Sequence, residues 1–358
     1  MKSILLQIFL LSFALLSAAI AVDTSGSLSK NVIVSRGLNY HYLYTPAQPS
    51  KPTLLFCHGF PSNARDWHPI ASTLQAKGYG VLIPDMLGNG GTAKPTDPAA
   101  FVNSLISRDI VDILDAEKLD TVVAVGHDWG SKVISGVANH FPDRVSAYAF
   151  FAVPFEVVVP PTNFTAELAQ QRAQYGYELY GYWLFMEAPD ANAVMLAHMD
   201  SFVSILFPND PAIWKTHFAP TGVFRKSLEE NYLAPLPSWM SEGDKEYVVD
   251  FYRRGGFPTS WYTIMATGLS QADDEKTIPD AQKFPPARAP IYFGVGQQDA
   301  ICLPEIGYQA FANDGFKGHN ITIKEYPGDH WLIRSEAAEI ASDLEGWLEN
   351  SVLPILPL

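Results

Sequence analysis

Apolar residues in this chain fall into two periods. Short, nearly unbroken apolar runs at 53–57, 81–84, 121–125, 144–153, 291–295 and 321–326 predict strands buried on both faces. Between them, 64–77 reads as a helix ended by Gly78 as its C-cap, and Val102, Leu105, Ile106, Ile110, Ile113 and Leu114 fall on one helical stripe. Residues 131–138 predict a helix of small side chains, and 337–347 a closing helix. Residues 31–35 and 38–44 alternate and predict a hairpin of two edge strands. Alternation of strand and helix from 53 to 153 predicts a mostly parallel, doubly wound α/β sheet with helices on both faces.

The pattern changes after Pro154. Residues 155–278 are rich in Tyr, Trp and Phe, helical in period and cut by prolines, which predicts a helical insertion. A proline-rich return follows, and the buried strands resume. The expected division is therefore 1–21, 22–154 as the first part of the core, 155–278 as the insertion and 279–358 as the second part of the core.

The first segment reads as a secretory signal. Lys2 supplies the positive start, an apolar run extends from Ile4 to Leu16, and Ala19-Ile20-Ala21 is a small-x-small cleavage site, so the mature chain is expected to begin near Val22. No later stretch predicts a membrane span. Secretion fits the sequons Asn163-Phe164-Thr165 and Asn320-Ile321-Thr322. The two cysteines, Cys57 and Cys302, are expected to be free thiols, although an oxidising compartment leaves a disulfide open.

At 358 residues, 47% hydrophobic and 17% charged, the chain is globular and long enough for a large core. A net charge of −14 argues against nucleic acid or an anionic membrane as partner. Gly88-Asn89-Gly90-Gly91 lacks the spacing and the lysine of a phosphate cradle, and no Cys/His spacing marks a zinc site, so neither cofactor nor metal is expected.

The strongest chemical signal is Gly126-His127-Asp128-Trp129-Gly130, set between a buried strand and a small-residue helix. This is the pattern of a nucleophile elbow with Asp in place of Ser. The turn is so tight that side chains at Gly126 and Gly130 would strike their neighbours. Asp299 and His330 also follow directly after predicted strands. In a parallel sheet all three reach one edge, where open α/β sheets place their sites. Each alone reads equally well as a turn residue; together they keep the order nucleophile, acid, histidine.

With His58-Gly59-Phe60-Pro61, Gln298-Asp299 and Asp329-His330-Trp331, this elbow resembles that of epoxide hydrolases of the α/β-hydrolase fold, over nearly the whole mature chain. The resemblance implies a helical lid for the insertion. It also implies two lid tyrosines: Tyr262 in Ser260-Trp261-Tyr262, and Tyr182, followed by Phe185 and Met186. Tyr175, Tyr177 and Tyr180 crowd the same segment and are read as packing aromatics of the lid.

The implied reaction takes an apolar epoxide and water to a diol. Asp128, ionised at the ordinary carboxylate pKa, attacks carbon and forms an ester. Tyr182 and Tyr262 donate to the leaving oxygen. His330, oriented by Asp299, activates water, and the backbone N–H groups of Phe60 and Trp129 hold the oxyanion. His58 and Pro61 are expected to shape the oxyanion loop, and His127 to pack against the elbow. Two alternatives share these residues: a dehalogenase using the same nucleophile, and a secreted binding protein without activity. An esterase fits less well, since an Asp nucleophile does not readily turn over acyl esters.

Overall fold

Side chains of the central strands divide by parity between two apolar layers. Leu55, Cys57, Ala124, Tyr148, Phe150, Ile291 and Phe293 enter one; Leu54, Phe56, Val123, Val125, Ala149, Phe151 and Tyr292 enter the other. This is the period of two expected of a sheet covered on both faces. The computed structural model describes residues 27–356, so the expected signal segment 1–21 lies outside the described residues.

The strands are β1 (Leu28–Ile33), β2 (Asn39–Thr45), β3 (Thr53–Cys57), β4 (Gly80–Pro84), β5 (Val122–His127), β6 (Val145–Phe151), β7 (Ile291–Gly296) and β8 (Ile321–Tyr326). They form one sheet in the order β1-β2-β4-β3-β5-β6-β7-β8. Every pairing from β4 to β8 is parallel, whereas β1–β2 and β2–β4 are antiparallel. The expected pair of edge strands is thus corrected. Of these two only β1 is an edge, and β2 is interior; the opposite edge is β8, expected to be buried on both faces but partly exposed, because Lys324 and Glu325 interrupt its apolar residues. The alternation of β2 was misleading because its polar members, Asn39 and His41, find partners in Gly91 and Asp85 and are only partly exposed. Tyr40 and Tyr42 are buried, and their hydroxyls donate to Asp109 and Glu117.

One layer contains α2 (Asn103–Ala116) and α3 (Trp129–His140); the other contains α1 (His68–Ala76) and the helix Ala337–Trp347. The helix expected at 64–77 begins as a 3₁₀ turn, Ala64–Trp67, because Asn63 and Asp66 form a capping box there. Gly78 follows at φ +90°, the left-handed stop expected of it.

Between β6 and β7 the chain is helical, and its aromatic side chains continue the α2/α3 layer over the C-terminal strand ends. Tyr182, Phe202, Trp214, Phe218 and Phe257 join Phe60 and Trp129 in one buried cluster. Among the described residues no helix is long and apolar enough to cross a membrane. Cys57 and Cys302 are both free.

Candidate active site

The site forms where β3 and β5 end side by side, with Cys57 opposite Gly126 in the ladder. The chain passes from β3 out to β4 on one side and returns to β5 on the other, so this is the point where the sheet reverses its winding. The turn after β5 holds Asp128 at φ +54°, ψ −125°, a backbone conformation costly for a residue with a Cβ. The neighbouring glycines make it feasible. A Cβ on Gly130 would lie 1.9 Å from the Cys57 carbonyl oxygen, and one on Gly126 would lie 2.6 Å from the Gly130 carbonyl oxygen. A Cβ on Gly59, in the facing loop, would lie 2.2 Å from Asp128 Oδ1. The elbow therefore needs glycine before, after and opposite the nucleophile.

The Asp128 carboxylate meets two backbone donors. The Phe60 N–H donates to Oδ1 at 2.8 Å, and the Trp129 N–H acts on the carboxylate to favour its anion. These are the two expected oxyanion donors, brought together on one carboxyl group. His58 secures the loop carrying Phe60. Its Nδ1 lies 2.9 Å from the Gly59 carbonyl and its Nε2 lies 3.0 Å from the Met86 amide, so Nδ1 carries the proton. Phe60–Pro61 is a cis peptide.

His330 Nδ1 lies 2.8 Å from Asp299 Oδ2, and Asp299 Oδ1 accepts from the Ile301 and Cys302 amides at 2.9 and 2.8 Å. His330 Nε2 points to Asp128 Oδ2 at 3.7 Å. All three side chains are buried. Burial acts to raise the Asp299 carboxyl, but the His330 charge and the two amides hold it below its ordinary range. Burial acts to lower His330, yet the Asp299 and Asp128 charges carry it up to about 9. Asp128 departs from the ordinary carboxylate expected of it. Burial pushes it upward, and the His330 charge with the Phe60 and Trp129 N–H groups favours its anion.

His127 packs behind this group, its ring 4.9 Å from that of His330 and its Nε2 2.8 Å from the His330 carbonyl. Burial, with His330 beside it, lowers His127 to about 3, so it is a neutral donor that fixes the backbone under His330.

Tyr182 and Tyr262 face each other across the same space, ring centroids 5.5 Å apart. Tyr262 also packs edge-on against Trp129 at 5.1 Å. Burial pushes both phenols well above their ordinary range, and the Asp128 charge adds to it, so both remain hydrogen donors. Tyr175, Tyr177 and Tyr180 are only half-buried. Tyr180 stacks on Trp183 at 4.7 Å, Tyr177 donates to the Ala300 carbonyl at 2.6 Å, and Tyr175 accepts from Gln174 at 2.9 Å. Tyr177 thereby ties the lid to the acid loop while its ring packs against the core.

Two supporting networks were not read from the sequence. Arg334, four residues after His330, pairs with Asp66, which also accepts from Ser62 at 2.8 Å, and lies 3.7 Å from Asp244 of the lid. Lys132, on α3 behind the nucleophile, is buried between Glu156 at 2.6 Å and Asp274 at 3.9 Å. Partners far apart in sequence carry no local signal. The one available cue was Lys132 itself, a cation on an otherwise small, apolar helix face.

Comparison with known proteins fits this geometry. A family model described as alpha/beta hydrolase fold matches residues 52–212. An epoxide hydrolase of Caballeronia sordidicola is 28% identical over 336 residues, which is 92% of this chain and 96% of that protein. Epoxide hydrolase 2 of Siraitia grosvenorii is 31% identical over 248 residues, covering 68% of this chain and 74% of that protein. The crystal structure of an epoxide hydrolase from Vigna radiata superposes with a TM-score of 0.72 at 22% identity, over 91% of this chain and 99% of that chain. Epoxide hydrolase A of Mycobacterium thermoresistibile gives a TM-score of 0.70 at 24% identity, over 90% and 98%. These two superpositions establish the shared fold.

Proposed function

The chain belongs to the epoxide hydrolase family of the α/β-hydrolase fold, whose members hydrolyse an epoxide to a vicinal diol, and we propose that its own reaction runs through an ester on Asp128. The observation that carries this reading is the meeting, at one carboxyl group, of two backbone N–H donors and His330. Asp128 Oδ2, turned toward His330, is free of backbone donors and attacks an epoxide carbon. The C–O bond breaks, and Tyr182 and Tyr262 donate to the oxygen as it leaves, one of them giving up its proton. The product of this step is a hydroxyalkyl ester of Asp128.

The second step is acyl chemistry. His330 takes a proton from water, whose oxygen attacks the Asp128 carboxyl carbon. The carbonyl oxygen becomes an oxyanion against the Phe60 and Trp129 N–H groups. On collapse the leaving oxygen takes the proton from the imidazolium, which Asp299 has stabilised, and the proton of the regenerated carboxyl returns to the tyrosinate, releasing the diol and the resting enzyme. Ester formation also removes the Asp128 charge that helps to keep His330 protonated. The base is thus released at the stage that uses it.

A single turnover in ¹⁸O-labelled water tests this order. The label is expected in Asp128 after one cycle and in diol only after further cycles. Label in the first diol would mean direct attack by water. Asp128→Ala is expected to abolish turnover with the fold retained, and activity above about a tenth of wild type would refute the assignment. The aromatic lining favours an apolar epoxide.

Residues 155–278 are proposed as the lid and 1–21 as a cleaved secretory signal. Asn163 and Asn320 are exposed, which supports both as glycan acceptors. A mass shift on glycosidase treatment of the native protein, and an N-terminus near Val22, would bear this out; an intact Met1 would exclude cleavage.

A further inference from the structure

Cys302 has no part in the reaction just described, yet its thiol stands beside it. It follows Asp299 by three residues, and its amide donates to Asp299 Oδ1 at 2.8 Å, so the turn folds its side chain back toward the acid. One ligand atom each from Cys302, Asp299 and His330 lie within 4.8 Å of one another. The thiol is also near enough to Asp299 and Asp128 for their charges to act on it, after burial, in holding it protonated. That protonation explains how a thiol survives next to an alkylating substrate.

Thiol, imidazole and carboxylate are the ligand types chosen by thiophilic and borderline divalent cations. Bonds of about 2.0–2.3 Å from such a cation would separate the ligand atoms by about 3.3–3.7 Å in a tetrahedron. The present spacing, within 4.8 Å, must contract by about 1 Å to reach that one. An approach exists as well. A cleft of about 370 Å³ runs along the outer side of the acid loop, lined by Asp210, Lys215, Gln298, Asp299, Leu303 and Glu305. Asp210 and Glu305 line this cleft together with Asp299.

We propose that Cys302, Asp299 and His330 form an inhibitory site for a thiophilic divalent cation, of which Zn²⁺ and Cd²⁺ are the chemical type. On binding, the Cys302 S–H proton and the His330 Nδ1 proton pass to solvent, and the metal bonds form in their place; nothing is oxidised or reduced. The cation takes the place of the proton between Asp299 and His330 and adds positive charge beside the imidazole. His330 then no longer serves as base for water, while Asp128 still attacks the epoxide. The binding site stands on geometry alone; its inhibitory effect rests on the roles given above to Asp299 and His330.

The test is titration of the full chain, without substrate, with Cd²⁺. One equivalent is expected to produce the ultraviolet absorption of a cadmium thiolate. Cys302→Ser is expected to abolish that absorption, and His330→Ala to weaken the affinity about tenfold or more. Absorption that persists in Cys302→Ser, or an affinity unchanged in His330→Ala, overturns the site. With an epoxide, the loaded enzyme is expected to accumulate one substrate mass on Asp128. Turnover by the loaded enzyme at the metal-free rate overturns the inhibition. A metal-free protein that opens no epoxide would count against the enzymatic reading alone, because the absorption is measured without one.

Discussion

His330 Nε2 stops 3.7 Å from Asp128 Oδ2, beyond hydrogen-bond length, while its Nδ1 is held at 2.8 Å by Asp299. The imidazole therefore favours the Asp128 anion through charge without occupying its attacking lone pair. The same gap places the ring beside the carboxyl carbon that water must reach later. In the proposed reaction one histidine position serves both steps, in different protonation states.

His330→Gln should separate those steps. Asp128 needs no base to attack, but the ester needs one to hydrolyse. The variant is expected to react once and stall, giving an adduct of one substrate mass that peptide mapping places on Asp128. No adduct from a substrate that wild type turns over would give His330 a role in the first step.

The phenols act on that first step alone. Tyr182→Phe or Tyr262→Phe is expected to slow ester formation about tenfold or more, and the double variant about 10²- to 10⁴-fold, with ester decay unchanged. Stopped-flow quenching of Trp fluorescence separates the two rates. If Tyr180→Phe were as damaging as Tyr182→Phe, the wrong pair would have been assigned.

Much of this site was legible because its parts lie at strand ends. Asp128 and Asp299 follow apolar runs that form buried strands, and His330 follows β8, which proves to be a partly exposed edge strand; topology brings all three to one edge. Gly59 was less legible. Its neighbour is the Asp128 carboxylate, 68 residues from Phe60's amide along the chain, and only the parallel pairing of β3 with β5 reveals the contact. Tyr182 was separated from Tyr180 by packing alone, since both lie in one aromatic stretch and only Tyr182 meets Tyr262. The interior place of β2 was hidden because its polar residues Asn39 and His41 are bonded to Gly91 and Asp85, far along the chain.

Gly59→Ala tests the steric part of this argument. Its Cβ would sit 2.2 Å from Asp128 Oδ1, so the carboxylate must turn away from the Phe60 amide. A displacement of about 1 Å at a reacting group costs about 10²-fold. The expected result is a loss of that size in kcat/KM, with the fold retained by circular dichroism. Near wild-type activity would mean that the loop moves at little cost.

Asp274→Asn should stabilise the protein. Burial raises the Asp274 carboxyl to about 6, Lys132 only partly opposing it, and its Oδ1 has no hydrogen-bond partner. A group whose folded pKa is raised stabilises fully below its unfolded value and loses that contribution as pH rises through the folded value. Wild type should therefore lose stability between about pH 4 and pH 6, and the Asn variant should not. A gain of about 1–3 kcal/mol is expected by urea unfolding at about pH 7.5, closing near pH 4. A gap that does not change with pH would show that the carboxylate is well solvated.

The last prediction follows His330 through the cycle. In the resting enzyme, two carboxylates hold the imidazole at about 9, so it is cationic at neutral pH. Esterification neutralises Asp128 and leaves Asp299 as the main anion opposing the desolvation cost. The pKa should fall on ester formation, and the base should be free where the resting enzyme is still protonated. The pH profile of ester decay, measured in single turnover, is expected to rise through a pKa at least about one unit below the value found for free His330 by NMR. Asp299→Asn should lower both values, since it removes the principal stabilising charge. Equal values in free and esterified enzyme would mean that Asp128 contributes no field at His330, and another group would then have to release the base.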